Sequence, residues 1–355
     1  MTKLAGTVRV VGAGLLGTSL GLALSKQGID VVIASQSQKS VDLAVGYGAG
    51  RLPQDSDNPQ LIVVCVPPSI TAAVVDQELR AFPEAVVTDV ASVKGRIIHD
   101  LRALNAPIER YVGSHPMAGR ERGGAIAGRS DLFVGRPWVI TANESVPDSA
   151  VELVADLAAR VDAAVIKTSS DDHDRAVALV SHVPQVISSL LAARLVGAEE
   201  ADVALAGQGL RDTTRIAASD PALWVQIFQA NLPAVLPVLK SFQQDLSSLI
   251  SDIESGESSR AFESVMQAGN AGVNRIPGKH GGKHTNYSQV VVMVADKPGE
   301  IGRLLTEVGQ IGVNLEEFQL EHSPSAPIGL AEIFVLPEVA EYLTEKLIER
   351  GWRIA

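Results

Sequence analysis

The sequence has one cysteine, Cys65, in 355 residues, so no internal disulfide can form. That excludes a small disulfide-stapled scaffold and is compatible with an intracellular, cytoplasmic setting. Basic residues are in the minority: 30 Lys and Arg face 41 Asp and Glu, a net charge of −11. A nucleic-acid partner would need a basic face that this balance does not supply. Apolar runs are interrupted short of the ~18 residues expected of a bilayer span, so no membrane segment is expected. The opening MTKLAGTVRVVGAG enters a strand pattern directly, without the basic-then-apolar design of a signal peptide. Aromatics make up only 4%, which leaves Ala, Val and Leu to fill the core. With 46% hydrophobic and 20% charged residues, the chain has the composition of a globular protein. At roughly 100–200 residues per domain, it has room for two or three domains.

Three rhythms divide the chain. In residues 1–168, short apolar runs occur at Val8–Gly12, Val31–Ala34, Leu61–Val66, Val86–Val90, Tyr111–Ser114, Trp138–Thr141 and Ala163–Lys167. They alternate with amphipathic segments such as Leu15–Gln27, Ile70–Phe82 and Ala150–Val161. The alternation predicts an α/β domain of the Rossmann type, a doubly wound parallel sheet with helices on both faces. In residues 169–270 the strand signal vanishes, and helical spacing runs through Ala176–Val196, Leu223–Leu239 and Leu246–Ile253, with a helix start at Ser219-Asp220-Pro221. An all-helical domain this rich in Ala and Leu leaves an apolar face open, so a homodimer is expected.

Residues 271–286 lie within GNAGVNRIPGKHGGKHTN and read as a linker. His280 and His284 fall there without a cysteine or acidic neighbour, which favours solvated linker over a metal site, and no metal is expected. Residues 287–355 restart with a strand at Ser288–Ala295, a helix from Glu300 to Ile311, strands at Val313–Glu321 and Leu330–Pro337, and a helix at Glu338–Arg350. This βαββαβ order fits a small split-βαβ domain.

The first strand leads into Gly12-Ala13-Gly14-Leu15-Leu16-Gly17 and then an apolar helix. A GxGxxG in this strand-to-helix context is a dinucleotide fingerprint. Gly12 permits the tight turn, Gly14 lets the backbone approach a pyrophosphate, and Gly17 lets helix and strand pack closely. The helix start offers free N–H groups to the phosphates. The acidic residue that would bond the ribose hydroxyls is missing, since the second strand ends in Ala34-Ser35-Gln36-Ser37-Gln38-Lys39. Ser35, with Ser37 and Lys39, could accommodate a 2′-phosphate, so NAD and NADP both remain open.

The fourth strand ends in Thr88-Asp89-Val90-Ala91-Ser92-Val93-Lys94-Gly95 and the fifth in Gly113-Ser114-His115-Pro116-Met117-Ala118-Gly119-Arg120-Glu121-Arg122-Gly123-Gly124. Ligands of open α/β sheets sit outside the carboxyl ends of the strands. His115 could therefore act as a base there, or merely bond a loop carbonyl; Ser92 could contact a ligand, or merely cap a helix.

The run SHPMAGRERGG resembles the active-site signature of prephenate and arogenate dehydrogenases, and DVASVKG resembles their preceding serine loop. The stretch from Gly207 to Trp224 is similar to the family's substrate-binding segment, and His173-Asp174 with Ser181-His182-Val183-Pro184 also fits its pattern. The run DKPGEIGRL resembles the opening of an ACT domain, a small amino-acid-sensing module. The likeness covers nearly the whole chain, with its motifs in the expected order.

The resemblance implies NAD(P)-dependent oxidative decarboxylation of prephenate to 4-hydroxyphenylpyruvate, in the route to tyrosine. His115 would accept the ring hydroxyl proton, and Ser92 would bridge hydroxyl, His115 and cofactor. Arg215 would bind a substrate carboxylate, although a surface pair with Asp212 at i−3 is the plain alternative. Glu121 and Asp212 match acidic residues that pair near that arginine and gate the entrance. His182 and Trp224 match substrate-facing positions; from the sequence alone both are equally core residues. The resemblance also implies tyrosine as an effector at the ACT domain.

Two positions depart from the pattern: Gln185 stands where many members carry a second histidine, and Gln208 where many carry glycine. Both belong to the region expected to meet the substrate side chain. Arogenate, with an ammonium in place of the keto group, would gain from an acidic partner; Gln185 is neutral, which leans toward prephenate. A 3-hydroxyacid dehydrogenase would use a lysine base in the helical domain, and no lysine occurs between Lys167 and Lys240. A non-catalytic protein that binds NAD and an amino acid would leave Ser92, His115 and Arg215 idle.

Overall fold

The computed structural model describes residues 3–120, 123–277, 287–322 and 328–355. The chain forms two compact units, Met1–Asp245 and Leu246–Ala355. The first begins with β1 (Val8–Val11), α1 (Leu15–Ser25), β2 (Val31–Ala34), α2 (Gln38–Gly46), β3 (Leu61–Val64), α3 (Pro68–Ala81), β4 (Val86–Asp89) and α4 (Gly95–Ala103). It continues with β5 (Tyr111–Pro116), β6 (Pro137–Thr141), α5 (Asp148–Arg160) and β7 (Ala164–Lys167). All seven expected strands are present, in one sheet of order β2-β1-β3-β4-β5-β6-β7.

The expected wholly parallel sheet is corrected at one place: β5 and β6 are antiparallel. A parallel return needs a crossover, usually a helix. Among the described residues between these strands there is only a one-turn 3-10 helix, Ala125–Ala127. The sheet is covered on both faces, which is why β3 (LIVV) is buried along its whole length. Leu20, Leu24, Val41, Leu153 and Leu157 of α1, α2 and α5 pack on one side; Val75, Leu79, Ile97 and Leu101 of α3 and α4 pack on the other.

The helical part comprises α6 (Ser170–Val177), α7 (Val183–Ala193), α8 (Glu200–Val203), α9 (Gln208–Thr214) and α10 (Pro221–Glu254). A π-helical turn, Ala178–His182, joins α6 to α7. Pro184, which lacks an N–H and crowds the carbonyl four residues back, gives a physical cause for that widening. The expected separate helices at Leu223–Leu239 and Leu246–Ile253 are one helix, α10. It kinks at Asn231 (φ −125°, ψ 20°), two residues before Pro233.

Among the described residues, the helical stretches 170–197 and 221–254 are long and apolar enough to cross a membrane. Polar residues interrupt the runs in sequence, but the helices continue through them. Leu190, Leu191, Val196, Leu232 and Leu236 stand exposed on these stretches.

The second unit contains α11 (Ser258–Val273), β8 (Ser288–Ala295), α12 (Glu300–Ile311), β9 (Glu317–His322), β10 (Ile328–Val335), α13 (Pro337–Glu349) and β11 (Arg353–Ile354). Its antiparallel sheet has the order β11-β8-β10-β9. Alternate residues of β8 and β10 (Val290, Val292 and Val294; Ala331, Ile333 and Val335) face Leu304, Val308, Leu343 and Leu347 of the two helices. The start of the expected linker is helical, since α11 runs to Val273; residues 278–286, with His280 and His284, lie outside the described residues. β9 begins at Glu317 rather than Val313, because α12 ends in a left-handed cap at Gly312 and the chain needs several residues to turn into the sheet.

Candidate active site

Each glycine of the first turn has its own geometric reason. Gly12 has φ +117°, and a β-carbon there would lie 2.2 Å from the Cys65 carbonyl oxygen at the end of β3. A β-carbon on Gly17 would lie 1.9 Å from the Gly12 carbonyl oxygen, so α1 can seat this close to β1 only with glycine there. Gly14 differs from both: no atom lies within 4 Å of its would-be β-carbon. The first turn of α1, with Leu15 and Leu16, has no side-chain cap. An open backbone and an uncapped helix start at the carboxyl edge of the sheet fit a pyrophosphate. Ser35 is half-buried where β2 ends, and Ser37 is engaged as the N-cap of α2.

Further along the same carboxyl edge of the sheet, β4 and β5 bring a buried polar group together. Lys94 is fully buried; its ammonium pairs with Asp89 and donates to the Ser114 carbonyl at 2.7 Å. Tyr111 Oη donates to Asp89 Oδ1 at 2.8 Å. Burial lowers the Lys94 pKa and raises that of Tyr111. These bonds hold the two strand ends together and fix the loop that carries Ser92.

Ser92 itself is half-buried, and its alternative reading as a helix N-cap is corrected. α4 begins at Gly95, and its cap comes from a distant residue: Asp174 on α6 accepts from Lys94 N–H at 2.9 Å and Gly95 N–H at 2.8 Å.

His115, at the end of β5, is buried, with Nδ1 2.9 Å from His173 Nε2. His173 Nδ1 in turn faces Asp174 Oδ1 at 2.8 Å. The alternative in which His115 only bonds a loop carbonyl is thereby replaced by a side-chain relay. Burial holds the His115 ring well below its ordinary pKa, with further lowering from His173, Lys94 and His182. His182, on the π-helical turn, is also buried, and desolvation brings its pKa down to about 4.

Asn231, at the kink of α10, donates from Nδ2 to the Asp174 backbone carbonyl at 2.8 Å, and the same nitrogen lies 3.1 Å from His182 Nδ1. Trp224 is half-buried, with its ring edge-on to His182 at 6.1 Å and tilted against Phe228 at 5.3 Å. The structure thus joins His115, His182 and Trp224 in one cluster, through His173, Asp174 and Asn231.

The other expected substrate residues sit further out. Gln185 is buried, and its Nε2 donates to the Ile216 carbonyl at 2.9 Å, which ties α7 to the one-turn 3-10 helix Arg215–Ala218. Arg215 is exposed on that turn. Gln208 and Asp212 are exposed on α9 and bonded to each other at 2.8 Å. Glu121 lies outside the described residues. Sequence reasoning assigned no site role to Asp174, Asn231, Lys94 or Phe228. The available signals were the His173-Asp174 pair and an asparagine two residues ahead of a helix-interior proline.

Comparison with known proteins bears on the same geometry. Residues 20–167 match the nucleotide-binding domain of prephenate dehydrogenase, and residues 169–268 match the prephenate dehydrogenase dimerization domain. The chain belongs to the prephenate dehydrogenase family. It is an NAD-dependent dehydrogenase of that family, and the glycine turn just precedes the first matched residue.

Among family members, the Streptomyces niveus protein NovF, described as a probable prephenate dehydrogenase, is 33% identical over 98% of both chains. Cyclohexadienyl dehydrogenase of Zymomonas mobilis is 31% identical, covering 74% of this chain and 93% of its own. The Aquifex aeolicus prephenate dehydrogenase, solved with hydroxyphenyl propionate and NAD+, has a TM-score of 0.68 at 25% identity and covers 76% of this chain and 98% of its own. Synechocystis arogenate dehydrogenase has a TM-score of 0.65 at 27% identity, covering 76% of this chain and all of its own.

Proposed function

We propose that this dehydrogenase oxidises prephenate to 4-hydroxyphenylpyruvate with loss of CO2, and that His115 is the base. The buried His115, held by His173 at the carboxyl end of β5, on the sheet edge that also carries the glycine turn, is the observation that carries this reading. When bound at the glycine turn, NAD+ supplies the acceptor for the hydride. His115 takes the proton of the ring hydroxyl as the carbonyl develops. A ring held neutral by burial is ready to accept it near neutral pH. Ser92 holds the hydroxyl toward His115, and Arg215 binds a carboxylate through its planar fork. His182, Gln185 and Trp224 form the wall toward the substrate side chain, with Gln208 and Asp212 at its outer rim. Loss of CO2 restores an aromatic ring, which makes the step irreversible in practice.

Arogenate is the second reading. It is supported by the likeness to the Synechocystis enzyme, while the neutral Gln185 still favours prephenate. Appearance of reduced cofactor on mixing the enzyme with NAD+ and prephenate tests the first reading; turnover of arogenate alone would replace it with the second. Running both assays with NADP+ decides the role of Ser35, since a 2′-phosphate would meet the end of β2.

We further propose a cytoplasmic homodimer of three modules: residues 1–168 for the cofactor, 169–270 for substrate and dimerisation, and 287–355 as an ACT domain, with the linker following the end of α11 at Val273. Exposed Leu190, Leu191, Leu232 and Leu236 support burial against a second copy. The βαββαβ order, with Gly299 at φ +92° before an uncapped α12, supports tyrosine binding near Asp296–Gly302. A truncation ending near residue 278 is expected to stay active and lose tyrosine sensitivity; unchanged inhibition would remove the sensing role.

A further inference from the structure

The two buried histidines nearest the proposed chemistry are wired to one residue, Asp174, through different atoms. Its carboxylate accepts from Lys94 N–H (2.9 Å) and Gly95 N–H (2.8 Å) at the start of α4. An ionised carboxylate can only accept, so His173 Nδ1, 2.8 Å from Oδ1, must carry a hydrogen. In the neutral ring, His173 Nε2 is then a bare lone pair. His115 Nδ1, 2.9 Å away, must donate to it, which leaves His115 Nε2 without a hydrogen.

The second wire runs through the backbone. The Asp174 carbonyl also can only accept, so the Asn231 atom 2.8 Å from it is the NH2 group. The other hydrogen of that group points to His182 Nδ1 at 3.1 Å, which therefore accepts, and the hydrogen of neutral His182 sits on Nε2. The kink of α10 gives Asn231 its place: the helix departs from helical geometry at this residue and buries its side chain.

We propose that Asp174 and Asn231 are positioning residues that fix opposite tautomers on the two histidines, leaving His115 Nε2 as an acceptor and His182 Nε2 as a donor. The pair then suits a substrate that offers a hydroxyl proton to one ring and a carboxylate or carbonyl oxygen to the other. That use of the pair rests on the reading of His115 as base; the tautomer assignment does not. His173 is the intermediary, and because its Asp174 partner also caps α4, base orientation and helix start are set by one side chain.

The test is a long-range proton–nitrogen NMR spectrum of the full-length protein with labelled histidine at about pH 8, where unperturbed rings are neutral. The signals are assigned with His115→Asn, His173→Gln and His182→Gln. Hydrogen on Nδ1 of His115 and His173 and on Nε2 of His182 is the expected result. Asn231→Asp replaces the donor with an acceptor and is expected to move the His182 hydrogen to Nδ1 or to protonate the ring.

His173→Leu removes the acceptor from His115 and is expected to lower kcat by roughly 10²-fold or more, as an unset tautomer does in other His-dependent enzymes. His173→Gln, whose amide oxygen can accept the same hydrogen, restores most of that loss. His115 carrying its hydrogen on Nε2, or doubly protonated, in the wild type overturns the proposal. So does an unmoved His182 spectrum in Asn231→Asp. If His173→Leu does not fold, the wild-type spectrum and Asn231→Asp decide alone. The expected tautomers together with full turnover of His173→Leu support the assignment and sink the reading of His115 as base.

Discussion

The nucleotide turn and the histidine cluster lie at the same edge of the sheet but are made in different ways. Gly12, Gly14 and Gly17 fall within six consecutive residues, and the turn works through backbone: a close carbonyl at Cys65, a close carbonyl at Gly12, and an open approach at Gly14. The cluster draws Lys94 and Gly95, His115, His173 and Asp174, His182, and Asn231 from five separate segments and works through side chains. A backbone site needs only the right local conformation, so six residues can specify it. A side-chain relay needs the fold to close before its parts meet.

The sharpest break between the two regions is His115→Asn. Turnover is expected to fall about 10²–10⁴-fold, as for the loss of a general base, with NAD+ affinity nearly unchanged. Steady-state kinetics beside NAD+ titration checks this, and a wild-type kcat would take His115 out of the mechanism.

Within the turn, Gly17→Ala and Gly14→Ala should separate packing from binding. The first forces a β-carbon to 1.9 Å from a backbone carbonyl and is expected to cost about 1–3 kcal/mol or more in stability. The second meets no protein atom within 4 Å, so Tm should hold while NAD+ affinity drops. Equal Tm losses in the two variants would mean that Gly14 is needed for folding rather than for approach of the phosphates.

Arg215→Ala is expected to raise the KM for the cyclohexadienyl substrate strongly and to change kcat less, because a carboxylate contact is made already in the ground state. An unchanged KM would place Arg215 in the helix surface only.

The smallest effect is thermodynamic. His182 has a folded pKa of about 4 against an ordinary 6.5. Between these values the unfolded chain binds more protons than the folded one, so stability is lost as the pH falls from 6.5 toward 4. Burial of neutral His115 adds a slope of the same sign. Thermal melts from about pH 7.5 down to pH 5 should show a Tm decline that is shallower in His182→Gln; parallel curves would mean that His182 charges freely in the fold.

The sequence by itself determined the seven strands of the first sheet, the glycine turn and the βαββαβ order of the second unit, because hydrophobic period and glycine placement act over a few residues. It marked His115 and Ser92 at strand ends, and paired His173 with Asp174 as neighbours without showing what they face. Only tertiary structure decided the rest. β6 runs against β5 because the segment between them lacks a crossover helix among its described residues, which no strand pattern reveals. The two helices expected at Leu223–Leu239 and Leu246–Ile253 are one, because the helix continues through the polar residues between them, while its kink falls earlier, at Asn231. The cap of α4 came from Asp174, 79 residues beyond Gly95, rather than from nearby Ser92. Hydrogen bonds from side chains are short and directional, and which distant groups come within 3 Å of each other is settled only when the helices pack on the sheet.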